Sequence, residues 1–192
     1  LTILPRADSY MFHHPNVRWA QAQAEAIGIP IVMRKTSASK EEELRELREA
    51  IASLNVDGVV SGAVASEYQR EKIDIICEEI GIASFAPLWK KNQESLLREI
   101  VVAGFEVVIT RVAAEGFDET WLGRRIDEKC VGDLLKLNKR FGVSLCGEGG
   151  EFETFVLRAP FFKREIEIEK SRKVWKGAGG ELVIESARVK HL

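Results

Sequence analysis

The sequence predicts an α/β protein in which a domain with a parallel sheet precedes a smaller α+β domain. Short apolar runs alternate with amphipathic segments through the first half, which is the pattern of parallel strands covered by helices. From residue 143 onward apolar and polar residues alternate instead, as they do in half-exposed strands. The charged stretch "WKKNQE" separates the two patterns. We therefore predict one domain at residues 1–91 and a second at residues 92–192.

Four apolar runs predict the strands of the first domain, namely "LTIL", "IPIVM", "DGVVSG" and "IASFAPLW". The third run is apolar on both faces, which predicts a strand buried between covering helices. Pro87 falls near the end of the fourth run, where a missing backbone N–H matters least. The segments between the runs are long enough for helices, as parallel strands require.

Three helices are predicted between these strands. Asn16 is the expected N-cap of the first helix, and Gly28 is its expected end. The other two begin at capping-box patterns, Ser39 with Glu42 and Ser66 with Gln69. Leu44, Leu47 and Ile51 then recur at helical spacing. This helix therefore has an apolar face that can pack against the rest of the domain.

The second domain is predicted to begin with helical signals and to end with strands. A helix at residues 94–103, a strand "FEVVITRVAA", a loop "EGFDETWLGRRID" and a helix at residues 131–141 are predicted in that order. Four further segments predict strands, namely "VSLC", "EFETFVLR", "REIEIE" and "GELVIESARV". Gly149 and Gly150 lie between the first two of them and are expected to form a turn with positive φ.

Composition limits the classes of partner. The chain has 192 residues, with 28 basic and 30 acidic side chains, and its formal net charge of −2 gives no global reason to expect nucleic acid or a membrane. Three cysteines without C-x-x-C spacing predict neither a disulfide framework nor a structural zinc site. No apolar run approaches the roughly 20 residues of a membrane helix. A cytoplasmic protein is the simplest expectation.

The segment "SGAVASEYQR" is a candidate ligand site, because ligands of open parallel sheets bind at the carboxyl ends of the strands. Ser61, Gly62 and Ala63 directly follow the third strand. Ser66 opens a helix whose free N–H groups suit a phosphate, and Arg70 offers a fixed positive charge one turn later. The alternative is a plain strand-to-helix turn with a solvated Arg70.

Histidine and tryptophan residues in predicted loops are further candidates. His13 and His14 suggest a metal site, but adjacent histidines point in different directions, which favours a hydrogen-bonding role in the loop. Trp89 and Trp121 lie beside basic residues. They are predicted either to pack at a domain boundary or to form an aromatic wall for a base or a cationic substrate.

The stretch "GEGGEFET" places carboxylates around a glycine turn. Glu148 and Glu151 flank Gly149 and Gly150, and Glu153 begins the next strand. Clustered carboxylates can hold Mg²⁺, attract a cationic substrate or take a proton from an amine nucleophile. The alternative is an exposed hairpin with solvated glutamates. No individual residue is assigned as a metal ligand.

Several segments together resemble the diphthine-ammonia ligase family of N-type ATP pyrophosphatases: "DSYMFHHPN", "QAEAIGIPIV", "GVVSGAVASEYQR", "PLW" and, most specifically, "GEGGEFETFVL". The resemblance covers nearly the whole chain. It implies a Rossmann-like nucleotide-binding domain of the adenine nucleotide alpha-hydrolase type, followed by a family-specific domain. It also implies that ATP adenylates the carboxylate of diphthine, a modified histidine on elongation factor 2, and that ammonia then displaces AMP to give diphthamide.

The resemblance implies cofactors, partners and residue roles. ATP and Mg²⁺ are the expected cofactors, and diphthine-bearing elongation factor 2 and ammonia are the expected partners; the oligomeric state, a homodimer included, stays open. The residues expected to bind the nucleotide are Ser61, Gly62, Ala63, Ser66, Tyr68, Gln69 and Arg70. The expected catalytic residues are Glu148, Glu151 and Glu153. The residues expected to bind the substrate are Trp89, Trp121, Gly147, Gly149 and Gly150.

One motif of this family does not occur in the sequence. The family's pyrophosphate loop, of the pattern Ser-Gly-Gly-Lys-Asp-Ser, follows the first strand, whereas residues 1–4 match the second strand. We therefore expect the chain to begin after that loop. Two other functions stay open, an ATP pyrophosphatase that acts on tRNA or another acceptor and a non-catalytic binding module with the same fold.

Overall fold

The computed structural model describes residues 2–4, 16–35 and 40–191. Contacts divide this part of the chain into two compact units, one with residues 2–4, 31–35 and 40–91 and the other with residues 16–30 and 92–191. The first unit has parallel strands with helices, and the second has an antiparallel sheet with helices. The predicted fold class is therefore confirmed. His13, His14 and Ser39 lie outside the described residues.

Apart from the predicted strand "VSLC", the helices and strands follow the predicted order. The helices are α1 (Ala20–Ile27), α2 (Lys40–Ala52), α3 (Glu67–Ile80), α4 (Gln93–Val102) and α5 (Glu128–Phe141). The strands are β1 (Thr2–Leu4), β2 (Met33–Lys35), β3 (Gly58–Val60), β4 (Ala83–Phe85), β5 (Glu106–Val112), β6 (Phe152–Arg158), β7 (Arg164–Lys176) and β8 (Gly179–His191). Within the described ranges, no helix is both long and apolar enough to cross a membrane.

The described part of the first unit consists of two parallel strand pairs and two helices. β1 pairs with β2, and β3 pairs with β4. Leu47 and Ile51 of α2 pack with Ile76 of α3 in one buried cluster. The predicted apolar face of α2 is therefore confirmed. Gly81 ends α3 with a φ of 78°, as its position after the last apolar residue predicts.

The prediction that β3 is buried is wrong. Val60 is 72% exposed, and Phe85 of β4 is 62% exposed. The two residues are register partners on neighbouring parallel strands, so their side chains lie on the same face of the strand pair. An apolar run is buried only where helices cover both faces of the strand. No described element covers this end of the face.

The second unit is a four-stranded antiparallel sheet in the order β6-β5-β8-β7. The side chains of alternate β5 residues pack into two different hydrophobic clusters. Val107 and Ile109 belong to a buried cluster with α4 and α5, whereas Val108 belongs to a cluster with α1. Both faces of β5 are therefore covered, one by α4 and α5 and the other by α1. The α1 helix thus packs with the second unit.

Side-chain caps explain where the helices of this unit begin. The Asn92 carboxamide oxygen accepts a hydrogen bond from the Ser95 N–H at 2.9 Å at the start of α4. Asp127 accepts one from the Cys130 N–H at 2.7 Å at the start of α5. The α5 helix therefore begins three residues before the predicted position at residue 131, because Asp127 satisfies the first-turn amide.

Asn16 does not cap α1 with its side chain, so that prediction is wrong. Its backbone is left-handed, with a φ of 61°, and it precedes a 3₁₀ turn at Val17–Trp19. Its carboxamide instead donates to the Leu182 carbonyl oxygen at 2.8 Å and accepts from the Ile184 N–H at 2.9 Å. The side chain therefore replaces a neighbouring strand along part of β8. A backbone edge inside a protein needs such partners.

We expect Asn16→Ala to lower the free energy of unfolding by about 2 kcal/mol, because two backbone groups of β8 lose their partners. Urea denaturation followed by circular dichroism measures this loss. Asn138→Ala is the matched control, since the Asn138 side chain makes one hydrogen bond, to the Val143 carbonyl oxygen at 2.9 Å. An Asn16 variant no less stable than the Asn138 variant would contradict the role assigned to Asn16.

Candidate active site

The loops that follow β3 and β4 are bound to each other. We call them the 61–66 loop and the 86–91 loop. The Ser61 N–H donates to the Phe85 carbonyl oxygen at 2.9 Å, and the Lys90 N–H donates to the Val64 carbonyl oxygen at 2.8 Å. Because β3 and β4 are parallel, both loops leave the same edge of the sheet. The sequence prediction that this edge carries a ligand site is therefore consistent with the local structure.

The 61–66 loop has a buried, unpartnered hydroxyl and an open backbone position. The Ser61 hydroxyl oxygen is buried and has no hydrogen-bond partner among the described residues. Gly62 has open space where a side chain would be, since no atom lies within 4 Å of the position that a Cβ would take. Ser66 caps α3 by accepting a hydrogen bond from the Gln69 N–H at 3.4 Å. Buried hydroxyls are normally paired, so the Ser61 group indicates a missing donor or acceptor.

Other residues assigned to the nucleotide have packing roles in the structure. Ala63 is 6% exposed. Tyr68 is half-buried and packs beside the cluster formed by α2 and α3, with the Lys72 ammonium 5.7 Å from its ring centroid. Gln69 contributes its backbone N–H to the cap of α3. Ser61 with its unpartnered hydroxyl, Gly62 with its open space and Arg70 with its part-exposed guanidinium are therefore the residues of this segment left to contact a ligand.

Arg70 is not simply solvated, as the plain-turn alternative predicts. Its guanidinium carbon lies 4.6 Å from the centroid of the Trp89 ring. Its Nε lies 3.3 Å from the Asp74 carboxylate. The structure therefore brings together two residues that the sequence analysis assigned to separate roles, Arg70 to the nucleotide and Trp89 to the substrate.

The second candidate region is the segment of residues 143–151, which we call the glycine-rich loop. The predicted strand "VSLC" does not form, and residues 143–146 are irregular. The Ser144 N–H donates to a Glu151 carboxylate oxygen at 3.0 Å, and the Leu145 N–H donates to the Gln93 carboxamide oxygen at 2.9 Å. Side-chain oxygens thus accept hydrogen bonds from the backbone N–H groups that would otherwise pair with a neighbouring strand. No strand forms here for that reason.

The glycine turn also differs from the prediction. Positive φ values occur at Gly147, with 69°, and at Gly150, with 81°, rather than at Gly149 and Gly150 together. The Gly150 N–H donates to the Gly147 carbonyl oxygen at 2.9 Å. The turn leads from an irregular loop into β6, and it does not connect two strands. The alternative of an exposed hairpin is therefore wrong.

The three glutamates of the stretch have different surroundings. One Glu151 oxygen binds Ser144, and the other is buried without a partner among the residues the structure describes. Glu153 is 8% exposed and lies 3.1 Å from Arg111. Glu148 is half-buried. Glu153 is therefore neutralised by a cation, whereas Glu151 keeps one carboxylate oxygen for another group.

Cys146, at the start of this stretch, is not a nucleophile at neutral pH. Burial raises the pKa of its thiol to about 11, and the nearby negative charge of Glu148 acts in the same direction. A thiol with so high a pKa is almost entirely protonated at pH 7. The chemistry of the loop therefore falls to its carboxylates.

Trp121 lies in the core of the second unit. It is 6% exposed, and its ring packs edge-on against Phe117 with a centroid distance of 4.9 Å. The Arg124 guanidinium carbon lies 4.5 Å from its centroid. These contacts favour the packing alternative for Trp121 over an aromatic wall.

No group of three or more histidine, cysteine, aspartate or glutamate side chains in the described part of the chain has the arrangement of a metal site. Carboxylates are the usual protein ligands of Mg²⁺, and here Glu153 is paired with Arg111 while Glu151 binds a backbone amide. The glycine-rich loop alone therefore does not fit a metal ion.

Three residues of the two regions were missed by the sequence analysis. Gln93 binds the glycine-rich loop, Arg111 pairs with Glu153, and Asp74 pairs with Arg70. Arg111 and Glu153 are register partners on β5 and β6, which a correct strand alignment would have shown. Asp74 follows Arg70 at the spacing typical of helical ion pairs. Gln93 carries no sequence signal, because its partners are distant in the chain.

Comparison with known proteins connects both regions to one family. Residues 2–84 match the diphthamide synthase N-terminal domain, and residues 92–190 match the diphthamide synthase C-terminal domain. A diphthine–ammonia ligase of Rattus norvegicus is 35% identical over 183 residues, which are 87% of this chain and 68% of that protein.

Two further relatives carry the same name. The diphthine–ammonia ligase of Homo sapiens is 34% identical over 183 residues, covering 87% of this chain and 68% of that protein. That of Schizosaccharomyces pombe is 32% identical over 188 residues, covering 90% of this chain and 31% of that protein. The family matches include both the 61–66 loop and the glycine-rich loop.

Proposed function

The chain belongs to the diphthamide synthase family, and on that premise we propose that it is an ATP-dependent, amide-forming ligase. It adenylates the carboxylate of diphthine on elongation factor 2 and transfers ammonia to it, with release of pyrophosphate and AMP. The observation that carries this proposal is Glu151, which has one oxygen fixed by Ser144 and the other buried without a described partner. A carboxylate held in this way can accept a proton from an amine.

The nucleotide would bind at the 61–66 loop in this proposal. The Ser61 hydroxyl, the open space at Gly62 and the start of α3 offer a donor, room for close approach and a positive dipole end. Arg70 adds a guanidinium, which suits phosphate oxygens. ATP, when bound, supplies the leaving group that activates the carboxylate. Ser66 and Gln69 would act mainly by fixing the first turn of α3.

The substrate would be handled by the glycine-rich loop. We assign Glu151 to the deprotonation of ammonium, and Glu148 to attraction of the quaternary ammonium of diphthine. Glu153 would act indirectly, through its ion pair with Arg111. Gly147, Gly149 and Gly150 would shape the backbone around the carboxylate of Glu151. The contact of Trp89 with the substrate stays a prediction from the sequence, and in the structure Arg70 covers one face of the Trp89 ring.

The remaining assignments are proposals of the same kind. Mg²⁺ would arrive with ATP, whose phosphate oxygens are good ligands for it. Elongation factor 2 is the proposed protein substrate. Residues 1–91 are proposed as the nucleotide-binding domain and residues 92–192 as the family-specific domain. The cytoplasmic location and the homodimer stay predictions from the sequence.

The proposal is tested by incubating the complete gene product with ATP, Mg²⁺, ammonium and diphthine-bearing elongation factor 2. We expect AMP and pyrophosphate to appear together with a mass loss of about one dalton, because an amide replaces a carboxylic acid. Chromatography follows the nucleotides, and mass spectrometry follows the substrate. AMP without the mass change would indicate another acceptor such as tRNA. The absence of any ATP turnover would indicate a binding module.

A further inference from the structure

The guanidinium of Arg70 is held on two sides by groups of the first unit. The Trp89 ring covers one face, with its centroid 4.6 Å from the guanidinium carbon. Asp74 lies one turn further along α3, and its carboxylate accepts a hydrogen bond from the Arg70 Nε at 3.3 Å. An arginine that both stacks on an aromatic ring and donates through Nε has lost most of its rotational freedom. Its orientation is therefore set by the protein before any ligand binds.

Asp74 is itself fixed from β4. The Ser84 hydroxyl donates to the second Asp74 oxygen at 2.6 Å. The two oxygens of this carboxylate thus serve different partners, one on its own helix and one on the neighbouring strand. Ser84 lies in the strand that leads into the 86–91 loop and Trp89. The contact therefore ties the carboxylate to the same strand and loop that carry the aromatic ring.

The terminal nitrogens of Arg70 remain available. Neither Nη atom has a hydrogen bond or ion pair within residues 2–4, 16–35 and 40–191. The Arg70 side chain is 36% exposed. Two parallel N–H donors of one guanidinium match the spacing of two oxygens on a phosphate. The free end of Arg70 is therefore suited to an oxyanion.

The 86–91 loop holds this arrangement beside the 61–66 loop. The Lys90 N–H donates to the Val64 carbonyl oxygen at 2.8 Å. Lys90 has a φ of 58°, which is uncommon for a residue other than glycine. This conformation turns the backbone directly after Trp89. The Trp89 ring therefore lies next to the loop that contains the unpartnered Ser61 hydroxyl. The Arg70 guanidinium, which stacks on this ring, lies there as well.

We propose that Asp74 is a positioning residue, which with Ser84 and Trp89 orients the guanidinium of Arg70 to receive a phosphate group of the nucleotide. This inference rests on the proposed function, because it assumes that the ligand of the 61–66 loop carries phosphate. Asp74 itself would not touch the ligand. Its carboxylate acts by fixing Nε, so that both Nη groups meet the oxyanion without a further ordering cost.

Asp74→Ala tests this inference, since alanine is tolerated well inside a helix. We expect the affinity of the complete gene product for inorganic pyrophosphate, measured by calorimetry, to fall about tenfold because an ordered charged donor is lost. Asp74→Asn keeps an acceptor for Nε and should recover part of the affinity. Glu79→Ala is the matched control. It removes an exposed ion pair of the same helix, with Arg48 at 2.9 Å, and should leave the affinity unchanged.

The Arg70→Ala background separates positioning from a general effect on the fold. If Asp74 acts through Arg70, Asp74→Ala should cause no further loss of pyrophosphate affinity in that background. Unaltered affinity of the single Asp74→Ala variant would overturn the inference, and so would an equal loss in both backgrounds. Failure of the wild-type protein to bind pyrophosphate would overturn it as well.

Failure of the proposed function gives a different result. A protein that makes no amide on elongation factor 2, yet loses pyrophosphate affinity only through Arg70, would sustain the positioning role and remove the ligase assignment. Where turnover does occur, Asp74→Ala should raise the KM for ATP and leave kcat close to that of the wild type, because ground-state and transition-state binding weaken together.

Discussion

Glu151→Gln is expected to slow amide formation about a hundredfold, which is the lower range of what a general base contributes. Glutamine keeps the shape of the side chain and an oxygen that can accept the Ser144 N–H, now bound at 3.0 Å. The glycine-rich loop should therefore stay folded. What the substitution removes is the negative charge on the second carboxylate oxygen, which is buried without a described partner.

Adenylation and amidation must be measured separately, because a base and a substrate anchor both lower the overall rate when removed. Single-turnover release of pyrophosphate without ammonium reports adenylation, and mass spectrometry reports the amide. A base role predicts normal adenylation and slow amidation that higher pH partly restores. An anchor role predicts a raised KM for elongation factor 2 in both steps.

Glu169→Gln is the control for this experiment. Glu169 lies in the same unit, and its contact with Arg188 at 3.3 Å is shared with a second glutamate. Removing its charge should leave both steps unchanged. If Glu151→Gln forms the amide at the rate of this control, Glu151 is neither base nor anchor, and the catalytic assignment of the glycine-rich loop is wrong.

Local signals were sufficient to predict most of the fold. The apolar face of α2, the cap at Ser66 and the stop at Gly81 all depend on residues within a few positions of one another. The strands β6, β7 and β8 were predicted from alternation, and alternation records which face of a strand is buried. Such features are encoded by neighbours in the chain, so the sequence alone can show them.

The wrong predictions involve partners that are distant in the chain. Asn16 satisfies β8 rather than its own helix, and its partners are 166 and 168 residues away. The segment "VSLC" alternates as a strand does, but Gln93 and Glu151 take its amides. The exposure of Val60 depends on what covers β3. Tertiary contacts overrode local preference in each case.

The candidate site was predictable as a set of residues but not as an arrangement. Arg70 and Trp89 were both selected from the sequence, yet their stacking at 4.6 Å and the contacts of Asp74 appear only in the structure. Trp121 was also selected from the sequence, but the structure places it in a core rather than at a site. A tryptophan beside arginines has the same sequence signature whether it lines a site or fills a core, and its exposure of 6% favours the core.

Gly147→Ala should have the largest effect on stability, with a loss of about 3 kcal/mol in the free energy of unfolding. Two costs add at this position. The φ of 69° is unfavourable for any residue with a Cβ, and that Cβ would lie 2.5 Å from the Phe152 carbonyl oxygen. This oxygen belongs to the first residue of β6, so the clash cannot be relieved by a side-chain rotation.

Gly150→Ala separates these two costs, because Gly150 shares the positive φ, at 81°, but has no atom within 4 Å of a Cβ. The Gly150→Ala variant should lose about 1 kcal/mol in the free energy of unfolding, from backbone conformation alone. Urea denaturation of both variants measures the difference, which reports the close approach of residue 147 to β6.

Equal losses would mean that the loop moves away from Phe152 at little cost. The position of the Glu151 carboxylate would then depend on its bond to Ser144, and a Gly147 variant would keep its ligase activity. A large difference would instead show that the glycine-rich loop is held rigidly against β6, and the Gly147 variant should then lose amide formation together with stability.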